Sequence, residues 1–142
     1  MKSNRKIAVG LVLVLALALA GCPKGLAGLA TASDAVAHSL KNAQEGVNQG
    51  VQTGVITPAE AKEINEYLSK VAQAGLVLDQ GIRAGEQATS ISLKVNAFMD
   101  TFNALQNQGL VGIKNPQARL AIATAINGAE AAVAVIAAKA GK

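Results

Sequence analysis

Side chains that carry catalysis or bind metals are scarce in this sequence of 142 residues, which contains one cysteine, Cys22, and one histidine, His38. Structural zinc sites take four Cys or His ligands, and metal centres in helical bundles use Glu-x-x-His elements. Neither pattern is present. We therefore expect no metal site, and we expect His38 to lie at the surface of its helix or at the boundary of the core.

Three acidic residues, Glu60, Glu63 and Glu66, are close enough to suggest paired carboxylates for general acid–base chemistry. They follow Pro58 and would lie in the first turns of a helix, where negative side chains interact favourably with the helix dipole. No Gly-x-Ser-x-Gly sequence and no phosphate-binding glycine-rich loop accompanies them. The sequence therefore predicts a protein that is not an enzyme, with no catalytic residues and no cofactor.

The first residues of the chain have the pattern of an export signal. Lys2, Arg5 and Lys6 are basic, and the uncharged apolar stretch 7–20 follows them. Its fourteen residues fit the apolar region of a signal peptide, whereas a membrane-spanning helix takes about 20. We predict a signal peptide over residues 1–21.

Leu19-Ala20-Gly21-Cys22 closes that segment. An apolar residue and two small ones before a cysteine resemble the lipobox of bacterial lipoprotein precursors. The resemblance implies that the signal peptidase recognises Leu19, Ala20 and Gly21. It also implies that Cys22 receives a diacylglycerol on its sulfur, becomes the first residue after cleavage and carries acyl chains such as palmitate, which hold a protein durably at a membrane. A plain signal anchor with an incidental cysteine is the alternative.

The same resemblance implies a location outside the cytoplasm, lipid-anchored at the cell membrane or the outer membrane. In a Gram-negative bacterium, a residue other than Asp after Cys22, here Pro23, favours the periplasmic face of the outer membrane. Removal of residues 1–21 leaves 10 basic and 9 acidic residues. With so little net charge and only three aromatic residues, nucleic-acid binding is not expected. We expect the membrane, through the lipid on Cys22, and an unidentified envelope protein as partners.

Residues 22–25 would form a short tether, and residues 26–142 one domain with a modest core. Apolar residues recur in this domain at steps of three and four, which places them on one stripe of a helix. Strand-like alternation is not sustained, so we predict an all-α fold, a small antiparallel bundle. The four series are Val36, Leu40, Ala43 and Val47; Ile64, Leu68, Val71, Gly75, Leu78 and Ile82; Ile91, Val95, Phe98, Phe102 and Leu105; and Leu120, Ala123, Ile126, Val133 and either Ile136 or Ala137.

Proline and glycine mark the helix boundaries. Thr57-Pro58-Ala59-Glu60 is a capping box, and Asn115-Pro116 begins a helix with an Asn cap. Gly50, Gly81 and Gly109 each follow Gln and precede an apolar residue, a pattern typical of the glycine just past a helix end. Two of these ends lead to a Pro-started helix, which suggests two hairpins related by a weak repeat. The predicted helices are about 26–49, 58–80, 86–108 and 116–140.

An alternative with three helices remains open from the sequence. Gly81 and Gly85 would then lie inside one long helix over 58–108, at a cost of about 1 kcal/mol each relative to Ala. Four helices have better matched lengths, and we predict four.

The last helix also has an alternative. Residues 120–138 are apolar apart from Thr124, Asn127 and Glu130, and a membrane helix there, opposite a lipid anchor, would resemble the spanins with which some phages disrupt the outer membrane. A glutamate near the middle of such a helix costs about 2.5–3.5 kcal/mol on insertion scales. We therefore expect a helix buried in the bundle.

The sequence predicts a lipid-anchored protein of the cell envelope with a non-catalytic structural or partner-binding role. A phage or prophage protein acting in the envelope or in lysis is one alternative. A carrier of an apolar small molecule between its helices is another, and an internal cavity would favour it.

Overall fold

The computed structural model describes residues 26–141 of the chain, which form four helices. We number them α1 (Leu26–Gln52), α2 (Pro58–Arg83), α3 (Ala88–Ala104) and α4 (Pro116–Ala140). A single π-helical turn (Leu105–Gly109) and a short 3₁₀ turn (Leu110–Gly112) continue α3. The predicted all-α fold with four helices is confirmed. The predicted signal peptide and tether, residues 1–25, lie outside the described residues.

Neighbouring helices run in opposite directions. The Ser33 hydroxyl, near the start of α1, donates to Asp79 near the end of α2 at 2.8 Å. Gly109, just after α3, lies under the Tyr67 ring in the first half of α2. Gly46 of α1 lies beside Ile122 near the start of α4. The chain therefore runs up, down, up and down around one core, and the start of α1 lies at the same end of the bundle as the α2–α3 turn.

Both predicted proline-started helices begin where the sequence places them. The Glu60 backbone N–H donates to the Thr57 hydroxyl at 3.2 Å, and the Thr57 N–H donates to the Glu60 carboxylate at 2.7 Å, so the capping box is complete. At α4, the side-chain oxygen of Asn115 accepts from the backbone N–H groups of the second and third helical residues, both at 3.0 Å. These bonds satisfy donors that a helix start leaves without an intrahelical acceptor.

The predicted ends of α1 and α2 are wrong by three residues, because the left-handed glycines are Gly54 and Gly85 rather than Gly50 and Gly81. Gly54 has φ +75° and Gly85 has φ +70°, and these are the only two residues with positive φ in the described part of the chain. At both ends the glycine N–H donates three residues back, and the next N–H donates five residues back. Together these two hydrogen bonds form a Schellman motif. Gly50 and Gly81 lie in the last turn of their helices, and their carbonyl groups accept the longer of the two bonds.

The third predicted end is wrong for a different reason. Gly109 has φ −66°, so it is not a left-handed cap. A Cβ at Gly109 would lie 2.9 Å from Cδ2 of Tyr67, so glycine is required there for close packing. The chain turns from α3 to α4 through the π and 3₁₀ turns instead. The two connections that suggested a repeat, after Gly50 and after Gly109, therefore have different structures.

The alternative with one long helix over residues 58–108 is wrong. Helix α2 ends at Arg83, and the left-handed Gly85 reverses the chain before α3 begins at Ala88. Glu86 accepts from Lys94 of α3 and from Ser90, which holds the turn against the start of that helix.

The core follows three of the four predicted apolar series. Every member of the first and third series is buried, and so is every member of the second except the half-buried Gly75. The stacked rings of Phe98 and Phe102, with centroids 6.0 Å apart, belong to this core and are fully buried.

The fourth series is wrong at its start, where Leu120 is 68% exposed and Ala123 is half-buried. Its later members Ile126 and Val133 are buried, and of the two residues offered for its end Ile136 is buried and Ala137 exposed. The buried residues of α4 are Ile122, Ile126, Ala129, Ala132, Val133 and Ile136. Alanine occupies every face of this helix, so the sequence pattern does not single out the face that is buried.

Substitution of glycine by alanine is expected to lower the free energy of unfolding at Gly85 and to raise it at Gly75. At Gly85 a Cβ meets nothing within 4 Å, so the cost is that of the left-handed backbone, about 1–2 kcal/mol. At Gly75, inside α2, a Cβ would lie 3.5–3.9 Å from Phe98, Val36 and Leu40, which is ordinary contact. Gly75→Ala should therefore stabilise the protein by up to about 1 kcal/mol. Urea denaturation measures the change in the free energy of unfolding for each variant. Changes of the same sign in both variants would contradict this account of the helix end.

Candidate binding groove between α1 and α2

Helix α1 packs differently against its two neighbours. Its most extensive packing is with α4, through small residues. A Cβ at Gly128 of α4 would lie 2.6 Å from the Ser39 hydroxyl, and one at Gly46 would lie 3.7 Å from Ile122, so the two backbones approach closely. Towards α2, α1 presents larger side chains and the fit is less complete.

A groove with a volume of about 470 Å³ remains between α1 and α2. This volume falls in the range of small-molecule sites, about 300–1,000 Å³. Its apolar lining is continuous along both helices and consists of Val36, Ala37, Leu40, Leu68, Ala72, Gly75 and Leu76. Leu76 is 56% exposed, which leaves an apolar side chain in solvent at the edge of the groove.

Polar residues lie at the two ends and along the edges of the groove. Asp34, Ser33 and Asp79 are at the end near the start of α1, and Gln44 and Asn65 are at the other end. The remaining polar lining is Lys41 and Ser69, both exposed. The groove therefore combines an apolar floor with polar ends.

A charged cluster lies at the end of the groove near Ser33. Arg83 donates to Asp79 through Nε at 2.9 Å and to Asp34 through a terminal nitrogen at 2.7 Å, while the buried Ser33 donates to Asp79. Burial alone would raise the pKa of the Asp79 carboxyl, but the hydrogen bonds from Arg83 and Ser33 outweigh it and lower that pKa below its ordinary value. The hydrogen bond and charge of Asp79 in turn raise the pKa of Arg83. The cluster joins α1 to α2 at this end.

Asn65 is the one residue in the described part of the chain with a buried side-chain polar atom that has no hydrogen-bond partner. The atom is its side-chain oxygen, Oδ1, and the residue lines the groove at the end away from the charged cluster. A buried acceptor without a donor costs about 1–3 kcal/mol. This oxygen has no accessible surface, so it does not face the groove that other atoms of Asn65 line.

None of the residues singled out in the sequence that fall within 26–141, namely His38, Glu60, Glu63 and Glu66, lines this groove. Cys22 and the recognition residues Leu19, Ala20 and Gly21 lie outside the described residues. His38 is exposed on α1, as expected.

The three acidic residues are not gathered into a catalytic pair. Glu60 is taken up by the capping box and also accepts from the Lys114 backbone N–H at 2.9 Å, and the first of these bonds is the main cause of its lowered pKa. Glu63 lies against Gly112, and Glu66 is exposed. Among residues 26–141 no group of three His, Cys, Asp or Glu side chains is placed to hold a metal ion.

Comparison of the chain with known protein families, with curated proteins and with solved structures gave no match. The groove therefore has to be interpreted from its own residues.

Sequence reasoning missed the groove. The sequence pattern predicts Gly75 as a member of an apolar stripe, and the structure places it in the groove lining as well. A polar residue directly after a stripe position, as in Ile64-Asn65, was the only other signal, and it is common in helices. That Asn65 is buried without a partner depends on how α1 approaches α2.

Acid is expected to destabilise the fold. The pKa values of Glu60, Asp79 and Glu86 lie below ordinary values of 4.5, 3.8 and 4.5, that of Glu86 chiefly through its hydrogen bond with Lys94. A carboxyl with a lowered folded-state pKa stabilises the fold above its unfolded-state pKa, and this contribution disappears as pH falls through the folded-state pKa. The unfolding free energy should thus be nearly constant above about pH 5 and fall below it.

Asp79→Asn should weaken this acid dependence, because it removes one of the carboxyls that must be protonated. Urea denaturation at pH 7 and pH 3 measures the difference, with Asp100→Asn on the exposed face of α3 as the control. An acid dependence in Asp79→Asn equal to that of the control would contradict a stabilising role for the cluster.

Proposed function

We propose that this protein is a lipoprotein of the bacterial cell envelope, anchored by lipid on Cys22, with a helical domain that has a non-catalytic structural or partner-binding role. The observation that carries the proposal is the order Leu19-Ala20-Gly21-Cys22 after a basic and an apolar segment. The described domain begins four residues later, at Leu26. A tether of that length would hold the start of α1, and with it the charged cluster, close to the membrane.

The arrangement of the domain supports a non-catalytic role. Titratable side chains in residues 26–141 serve the fold: Asp79 and Arg83 join α2 to α1, and Glu60 caps α2. The groove contains amide, hydroxyl and charged groups but neither histidine nor cysteine. Its composition fits binding of a partner or ligand.

Helix α4 bears on how the domain meets the membrane. By length and composition it is apolar enough to cross a bilayer, and 33% of its most apolar window is buried in the bundle. Its buried stripe packs with α1, where Gly128 and Ile122 meet Ser39 and Gly46. Insertion would remove this packing, so we propose that α4 remains in the bundle.

A second candidate function is transport or storage of an apolar small molecule. The observation that favours it is the groove between α1 and α2, with its apolar floor and polar ends. The two functions are compatible, since a lipid-anchored domain can also carry a ligand.

Replacing Cys22 tests the anchor. Cys22→Ala should remove the acyl mass and block processing. In the proposal the lipid is attached to the Cys22 thiol first, and the signal peptide is then cleaved off before Cys22. Membrane fractionation with intact-mass analysis of wild type and variant measures both effects, with His38→Ala, on the exposed face of α1, as the control. An unmodified Cys22 in membrane-bound wild-type protein would overturn the anchor and leave a signal anchor as the explanation.

Expression of residues 23–142 without the signal peptide tests the position of α4. If α4 stays in the bundle, the fragment should fractionate as a soluble, helical protein. A fragment that stays with membranes would contradict this and favour the membrane-bridging or lysis alternative.

A further inference from the structure

We draw no further inference here: the strongest candidate, the exposed face of α4 formed by Leu120, Asn127, Ala131, Ala134 and Ala138, is an unpartnered stripe of mostly small residues, and nothing in the described part of the chain shows what covers it.

Discussion

The close approach of α1 to α4 is the contact on which the rest of the bundle depends. Glycine and serine at Gly46, Gly128 and Ser39 let the two backbones come together, and each has its counterpart on the facing helix. Towards α2, α1 presents the larger side chains Val36 and Leu40, which together with Leu68 line the groove. Packing that is dense on one side of α1 and incomplete on the other leaves a groove whose position follows from the distribution of small and large residues.

The ends of the bundle are held by polar contacts. At one end, Arg83 and Ser33 meet Asp79 and fix the start of α1 against the end of α2. At the other end, Glu60 closes its own capping box and also accepts from the Lys114 backbone, so the start of α2 holds the connection that leads into α4. These bonds set the register of the helices along the bundle axis, while the apolar core sets their spacing.

The proposed lipid anchor on Cys22 would fix which end of the groove lies towards the membrane. The start of α1 lies at the end of the groove near the charged cluster, and Asn65 lies at the far end. With lipid on Cys22, the cluster would lie next to the membrane and the Asn65 end of the groove away from it.

The sequence by itself determined the class of fold, the starts of α2 and α4 and most of the core. Stripes at steps of three and four, a capping box at Thr57 and an Asn cap at Asn115 act within one helix or one turn, so they can be recognised without knowledge of the neighbours. The tertiary structure decided where α1 and α2 end, which face of α4 is buried and where the groove lies. Gly50 and Gly54 both suit a helix end on local grounds, and a helix with alanine on every face has no preferred side until α1 packs against it. The groove is a space between two helices, and the volume of such a space depends on how far apart all four helices settle.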